Sequence, residues 1–177
     1  MAFAPLAQRD MAVFLDSALR SEQGRFSYIA ADPFRVVRST PCPWNVTVDG
    51  KPVKGDPFSV VAGELERFAL KAPDDAPAPF IGGAIGFFGY ELGGVLEHLP
   101  APKPSQFPLD MAIGLYDVVV AFDSERRSAW VIASGFPETE PTRQRRRAET
   151  RTQEMVGALE GRRENAPKSL VGHWQHE

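Results

Sequence analysis

The sequence predicts an α+β fold in which a mainly antiparallel sheet carries helices on its outside. Three features support this: a two-residue turn signal between β-type runs, an amphipathic stretch between strands, and two apolar runs that flank a polar turn. Hairpin connections favour antiparallel pairing, since parallel strands need longer crossovers. The 177 residues fit one domain, which we place at residues 1–161 with a disordered tail at 162–177.

The first forty residues predict three short extended segments. Residues 11–20 contain a compact apolar group that suits a strand ending at a turn near Asp16-Ser17. Side chains alternate along residues 25–33 as they do in a strand, and Asp32-Pro33 should end that strand. Residues 34–40 then resume an extended pattern.

A hairpin and a helix come next. Asp49-Gly50 supplies the two positive-φ positions of a type I′ turn, and Pro52 restricts the second arm to a sheet edge. Asp56 can cap a helix that has Pro57 at its first position. The apolar face of this helix repeats every three or four residues, at Phe58, Val61, Leu65 and Phe68.

Residues 80–89 are the most glycine-dense and apolar stretch of the chain, and they follow a polar, proline-rich linker at residues 71–79. Glycines inside an aromatic run mark places where another backbone comes close, so we predict a buried central strand. A phosphate-binding loop is excluded, because the stretch contains neither a G-x-G pair nor a G-x-x-x-x-G-K-[ST] motif. A short helix over residues 90–99 should end at the prolines that follow, Pro100, Pro102 and Pro104.

The last third of the chain predicts a hairpin and a surface helix. Apolar, β-branched runs at residues 111–122 and 129–134 flank a turn at 123–127 and should pair as antiparallel strands. Residues 142–161 suit a helix, and residues 142–163 hold seven Arg and three Glu in a chain of net charge −3. A basic helix docked on an acidic body explains this charge more simply than nucleic-acid binding.

Composition excludes several classes of function. A single cysteine, Cys42, rules out an internal disulfide and favours a reducing compartment. The sequence shows neither a secretion signal nor a run of about 20 apolar residues, so we expect a cytoplasmic protein without a membrane partner. The three histidines, His98, His173 and His176, do not make a ligand set, and no carboxylate pair stands out for acid–base work. We therefore predict no catalytic, cofactor-binding or metal-binding residue in this chain.

Two motifs resemble a known family. Residues 82–93 read GGAIGFFGYELG and precede Leu96-Glu97 and Leu99-Pro100. This resembles the GGA-x-GYFGYDLGR…LE-x-LP signature in the N-terminal domain of the chorismate-utilising synthases, anthranilate synthase component I and aminodeoxychorismate synthase component I. Phe87 stands where Tyr is usual, Glu91 where Asp is common and Gly94 where a basic residue is frequent.

The second motif extends the resemblance over about residues 10–160. Residues 14–17, FLDS, and residues 24–33, GRFSYIAADP, resemble the family's F/L-L-E-S…GRYS-x-x-x-x-DP element. The Ala-Ala-Asp-Pro ending and the FFGYELG form are closer to aminodeoxychorismate synthase than to anthranilate synthase. For the fold, the resemblance implies half of a layered sheet structure with outer helices.

The resemblance also implies an effector pocket. In the family, the L-E-S element and the RYS strand help to line a pocket for tryptophan, which makes Asp16, Ser17, Ser27 and Tyr28 the candidate effector-binding residues. Asp16 replaces the usual Glu with a shorter side chain. The equally weighted alternative is that Ser17 and Ser27 only cap and pair locally.

For function, the resemblance implies the non-catalytic N-terminal domain of an aminodeoxychorismate synthase component I-like protein. The family binds chorismate and Mg²⁺ through a C-terminal half whose motifs are missing from these residues, so we expect a truncated product, an excised domain or a split enzyme that is inactive alone. Its partners would be that catalytic half and a glutamine amidotransferase, in the conversion of chorismate to 4-amino-4-deoxychorismate for p-aminobenzoate and folate. The alternatives are a stand-alone tryptophan-binding module and the N-terminal part of an anthranilate synthase component I.

Overall fold

Two antiparallel sheets and the helices packed on them form the part of the chain that the computed structural model describes, residues 2–17, 24–97 and 107–160. In chain order the elements are β1 (Val13–Leu15), β2 (Phe26–Ala30), β3 (Arg35–Ser39), β4 (Val46–Val48), β5 (Lys51–Pro52), α1 (Pro57–Arg67), β6 (Gly83–Phe88), a 3₁₀ turn (Tyr90–Leu92), α2 (Gly93–Leu96), β7 (Met111–Tyr116), β8 (Val118–Asp123), β9 (Ser128–Ala133) and α3 (Pro141–Glu160). Sheet A has the order β1-β2-β8-β9, and sheet B has the order β5-β4-β3-β7-β6. The predicted α+β fold is confirmed.

The elements with strong local signals form as predicted. Asp49 and Gly50 have φ of 50° and 76°, as a type I′ turn requires, and Pro52 lies in edge strand β5. The Asp56 carboxylate caps α1 by accepting the backbone N–H groups of Phe58 and Ser59 at 3.0 Å each. In these segments the residues that fix the structure lie within four positions of one another.

The glycine-rich stretch forms a strand, but the prediction that it is buried and central is wrong. β6 lies at the edge of sheet B, and Phe87 and Phe88 are each 51% exposed. The close backbone approach is real: a Cβ on Gly86 would overlap the Ala112 carbonyl and lie 2.8 Å from the Ile113 Cα. Only β7 comes this close to Gly86, so the glycine indicates one neighbouring strand and not two.

Residues 111–122 were predicted as one long strand, and this also needs correction. Met111–Tyr116 belongs to sheet B and Val118–Asp123 to sheet A, so the chain crosses between the sheets at Asp117. Asp117 is fully buried, and its carboxylate is paired with arginines of α3, which fixes the crossing point. The β8–β9 hairpin itself is confirmed.

Helices cover one face of each sheet, and a third cluster lies between the sheets. The core under α3 contains Leu6, Ile29, Val120 and Met155, and the core under α1 contains Val37, Val61, Ile113 and Leu115. Ala30, Tyr116 and Val119 form the cluster in between. None of the described helices is long and apolar enough to cross a membrane.

The helix predicted at residues 142–161 is present as α3, whereas the one predicted at residues 90–99 is shorter: it consists of a 3₁₀ turn and the single turn α2, and the backbone is already extended at Glu97. Arg147 and Arg151 of α3 face Asp117, which confirms that this basic helix docks on the body of its own chain. The three histidines, the prolines at 100–104 and the predicted tail at 162–177 lie outside the described residues. The expected domain boundary near residue 161 therefore stays a prediction.

Candidate functional site

The four residues predicted to bind an effector lie together at one end of the β1–β2 pair. Leu15 and Tyr28 are opposite each other in the ladder, so Asp16 and Ser27 occupy the next step along it. Ser17 fastens this end of the pair, since its hydroxyl donates to the Phe26 carbonyl at 2.7 Å. Sequence and structure thus place the same four residues in one small region.

Three of these residues hydrogen-bond one another. The Ser27 hydroxyl accepts the backbone N–H of Ser17 at 3.1 Å and donates to the Asp16 carboxylate at 3.0 Å. This is the local pairing that the sequence offered as one alternative. The effector-binding role of the same residues stays a prediction.

Tyr28 points to the other face of β2, because successive side chains of a strand alternate. Its ring packs edge-to-face on Phe80 with the centroids 5.5 Å apart, and its hydroxyl accepts the Phe80 backbone N–H at 3.4 Å. Burial raises the pKa of the Tyr28 phenol, although the hydrogen bond from Phe80 opposes this. Tyr28 is therefore part of an apolar environment that the polar trio does not share.

That environment is a groove of about 460 Å³ between α1 and the neighbouring edges of the two sheets. Apart from the phenol of Tyr28, its lining side chains carry no polar atom; the lining residues are Leu15, Tyr28, Val61, Leu65, Phe80, Ala84, Ile85, Gly86, Phe88 and Ile113. The volume lies in the range of small-molecule sites, which are mostly apolar with a few placed polar groups. Chemically, such a groove can hold a flat apolar group, but it offers no acid–base pair.

An ion pair fixes the strand that carries Ser27 and Tyr28. Arg25, one residue before β2, donates from Nε to the buried carboxylate of Asp123 at 3.0 Å, at the far end of β8. This bond, together with the backbone N–H groups of Glu125 and Arg126, holds the pKa of Asp123 well below its usual range. The arginine of the GRFS segment thus positions the candidate site and need not take part in binding.

The described residues contain no cluster of candidate metal ligands. Within residues 2–17, 24–97 and 107–160, no three His, Cys, Asp or Glu side chains are grouped so that they could hold a metal ion. The buried carboxylates of Asp117 and Asp123 already face arginines.

Sequence reasoning missed most of the groove. Leu65 and Phe80 were recognised, but as members of a helix face and of an apolar run. They come together with Leu15 only because α1 and the segment before edge strand β6 both lie beside the end of the β1–β2 pair. No local pattern in the sequence reports that convergence.

No family model matches the chain. Comparison with individual proteins, however, finds relatives among the same two synthases that the sequence motifs resemble. The chain is 33% identical over 141 residues to aminodeoxychorismate synthase component 1 of Klebsiella aerogenes, across 77% of this chain and 31% of that protein. It is 30% identical over 122 residues to anthranilate synthase alpha subunit 2 of Arabidopsis thaliana, across 63% of this chain and 20% of that protein. The region matched is thus less than a third of either relative.

A solved structure shares the fold. Anthranilate synthase component I from Streptococcus pneumoniae superposes with a TM-score of 0.60 at 22% identity, over 80% of this chain and 31% of that one. The likeness in structure supports the arrangement of sheets and helices, and the likeness in sequence supports the family. In the region that it spans, the chain belongs to the chorismate-utilising family of aminodeoxychorismate synthase component 1 and anthranilate synthase component I, and it corresponds to their N-terminal part.

Proposed function

We propose that this chain is the non-catalytic N-terminal domain of an aminodeoxychorismate synthase component 1-like protein. The main support is the identity of 33% over 141 residues to the Klebsiella protein. A second support is that the groove has a single polar lining group, the Tyr28 phenol, whereas general acid–base catalysis needs positioned titratable groups. The domain would support a catalytic half rather than transform chorismate itself.

The partners follow from this proposal. The name "component 1" of the Klebsiella relative indicates a protein that acts with another component. We assign the chain a catalytic half that binds chorismate and Mg²⁺, and a glutamine amidotransferase that supplies ammonia. Together they would make 4-amino-4-deoxychorismate in the cytoplasm, on the route to p-aminobenzoate and folate. An N-terminal part of anthranilate synthase component 1 remains the alternative, supported by the Arabidopsis relative.

A chimera tests the proposal. This chain replaces the matched region of the Klebsiella protein, and the chimera is introduced into a strain that lacks aminodeoxychorismate synthase component 1. We expect growth without p-aminobenzoate from the chimera, but not from this chain alone or from the Klebsiella protein with the region deleted. A matching chimera of the Arabidopsis relative, scored for growth without tryptophan, distinguishes the two synthases. Product formation from chorismate by this chain alone would refute the non-catalytic assignment.

One observation favours a second function, the binding of an aromatic amino acid. The apolar groove of about 460 Å³ includes Tyr28, one of the four candidate effector-binding residues, and its volume and apolar lining suit an aromatic side chain. Calorimetry with tryptophan and a panel of amino acids tests this. We expect saturable binding that Ser17→Ala abolishes and that Val53→Ala, at the far edge of sheet B, leaves unchanged. A panel without any binding would reject this function and leave the first one intact.

A further inference from the structure

A small depression along one side of α3 contains four arginines. Its volume is about 290 Å³, and its lining residues are Glu138, Arg143, Arg146, Arg147, Thr150, Arg151 and Glu154. All of these except Glu138, which lies in the loop before α3, are spaced three or four positions apart, as side chains on one face of a helix are. The depression shares no lining residue with the groove beside Tyr28, so it is a separate feature of the molecule.

Two of the four arginines hold α3 on the body of the chain. Arg147 donates from Nε to the Phe136 carbonyl at 2.7 Å, and its Nη2 lies 3.2 Å from the buried carboxylate of Asp117. Arg151 also pairs with Asp117, and its Nη1 donates to Glu154 at 3.1 Å. Among the described residues, the Nη1 of Arg147 has no acceptor. The Arg147 guanidinium is thus fixed in place with donors to spare, which lowers the entropic cost of binding a ligand there.

The other two arginines of the depression are unpaired. Arg143 and Arg146 are exposed, and within residues 2–17, 24–97 and 107–160 neither guanidinium group has an ion-pair or hydrogen-bond partner. Together with Arg147 they place like charges three and four positions apart on one helix, which is a destabilising arrangement. An anion bound between these side chains would relieve their repulsion.

The distribution of charge favours a compact anion over a polyanion. The carboxylates of Asp117 and Glu154 balance the two paired arginines, and Glu138 offsets one of the two unpaired ones. Residues 152–160 contain Glu154 and Glu160 but neither Lys nor Arg. A nucleic-acid strand needs positive charge along its whole path, whereas a single phosphate group needs only a few guanidinium donors at one place.

The backbone N–H groups at the start of α3 are not available to such an anion. The Glu140 carboxylate already accepts the N–H groups of Thr142 and Arg143 at 2.9 Å each, and these bonds lower the pKa of Glu140. The donors of the depression are therefore side chains. The planar fork of a guanidinium group matches the oxygens of a phosphate group, so arginine is the residue type suited to this ligand.

We propose that the α3 depression binds a phosphate group, as inorganic phosphate or as a phosphomonoester, through Arg143, Arg146 and the Nη1 of Arg147. Arg147 donates to one phosphate oxygen from a fixed position, and the two unpaired arginines supply charge-assisted hydrogen bonds to the others. Because the bound anion neutralises like charges on α3, it stabilises the folded chain. This site is independent of the proposed function, since it needs neither the groove nor a catalytic half.

Calorimetry on the full chain tests the site, with inorganic phosphate and methyl phosphate as separate probes at constant ionic strength, because salt screens exposed charges. We expect saturable binding of one phosphate per chain with a Kd of about 1 mM or tighter. Arg146→Gln should raise this Kd at least about tenfold, since it removes charge-assisted hydrogen bonds. The control Arg145→Gln removes the same charge from an exposed neighbour outside the depression and should change the Kd less than about twofold.

The acidic rim of the depression gives a variant of opposite sign. Glu138→Gln removes a negative charge that opposes an anion, so it should lower the Kd for phosphate by about threefold. Thermal unfolding is a second readout, since a ligand of the folded state raises the melting temperature. Phosphate should raise the melting temperature of the wild type and of Arg145→Gln, but hardly that of Arg146→Gln.

The possible outcomes separate a phosphate site from a merely basic surface. Tighter binding of methyl phosphate supports a phosphomonoester as the ligand, and tighter binding of inorganic phosphate supports the free anion. Absence of saturable binding up to about 10 mM of either probe would overturn the proposal. Equal affinities of Arg145→Gln and Arg146→Gln would also overturn it, as would an oligonucleotide that both variants bind equally weakly. None of these results affects the proposed function, which the chimera tests.

Discussion

The α3 side of sheet A and the β6 edge of sheet B differ in whether their buried carboxylate is paired. On the α3 side, Arg147 lies 3.2 Å and Arg151 3.3 Å from Asp117, whose side chain is fully buried. At the β6 edge, the described residues supply no donor to Oδ2 of the buried Asp110, and aromatic side chains are exposed. Among the described residues, the chain thus pairs its buried carboxylate on one side and leaves a buried carboxylate oxygen without a donor on the other.

The largest effect is expected where the packing is complete. Asp117→Ala removes the buried carboxylate that Arg147 and Arg151 share, and breaking such a buried pair from one side should lower the free energy of unfolding by about 3 kcal/mol. The control is Glu154→Ala, because Glu154 is an exposed partner of Arg151 and should contribute less than about 0.5 kcal/mol. Urea denaturation measures both. Equal losses of stability in the two variants would contradict a special role for the buried Asp117, where the chain crosses between the sheets.

A somewhat smaller effect is expected at β6. Gly86→Ala puts a methyl group into the Ala112 backbone, which forces β6 and β7 apart and should destabilise the chain by about 2 kcal/mol. Gly63→Ala, inside α1 with nothing within 4 Å of its added Cβ, should instead stabilise by about 0.5–1 kcal/mol. Thermal unfolding of the two variants shows the opposite signs. A neutral Gly86→Ala would mean that the β6–β7 pair is looser than the register indicates.

Because of the Arg25–Asp123 ion pair in sheet A, the stability of the fold should depend on pH. Arg25 holds the pKa of Asp123 below its usual range, so the pair stabilises the fold above the ordinary aspartate pKa of about 3.9. That contribution is lost as the pH falls towards the lowered pKa. The melting temperature of wild type should exceed that of Asp123→Asn by a constant amount between pH 5 and 7, and the gap should narrow below pH 4. A difference in melting temperature that is unchanged at pH 2.5 would contradict a stabilising Arg25–Asp123 pair.

Features of the fold that depend on residues close in sequence were predictable, whereas features that depend on distant residues were not. Asp56-Pro57 and Asp49-Gly50 fix a helix start and a turn through contacts a few residues away, and both are confirmed. Whether β6 is central or at an edge depends on which strand lies beyond it, and residues 80–89 do not encode that. Asp117 within residues 111–122 was overlooked because its partners lie more than 25 residues away, on α3.

The candidate site divides in the same way. Asp16, Ser17 and Ser27 were chosen from two short motifs, and the structure brings them within hydrogen-bonding distance. The groove beside Tyr28 depends on where α1 and the residue at the start of the glycine-rich stretch, Phe80, come to lie. A motif can therefore identify residues that share a strand end, but the cavity next to them follows only from the packing of separate elements.

The smallest effect is expected at the incomplete side. Asp110→Asn replaces a buried carboxylate oxygen for which the described residues supply no donor, so the chain should lose no stability and should gain at most about 1 kcal/mol. Urea denaturation of the variant and of the wild type measures this effect. A loss of stability comparable to that of Asp117→Ala would show that Asp110 already has a partner within the chain, and the two sides would then be alike.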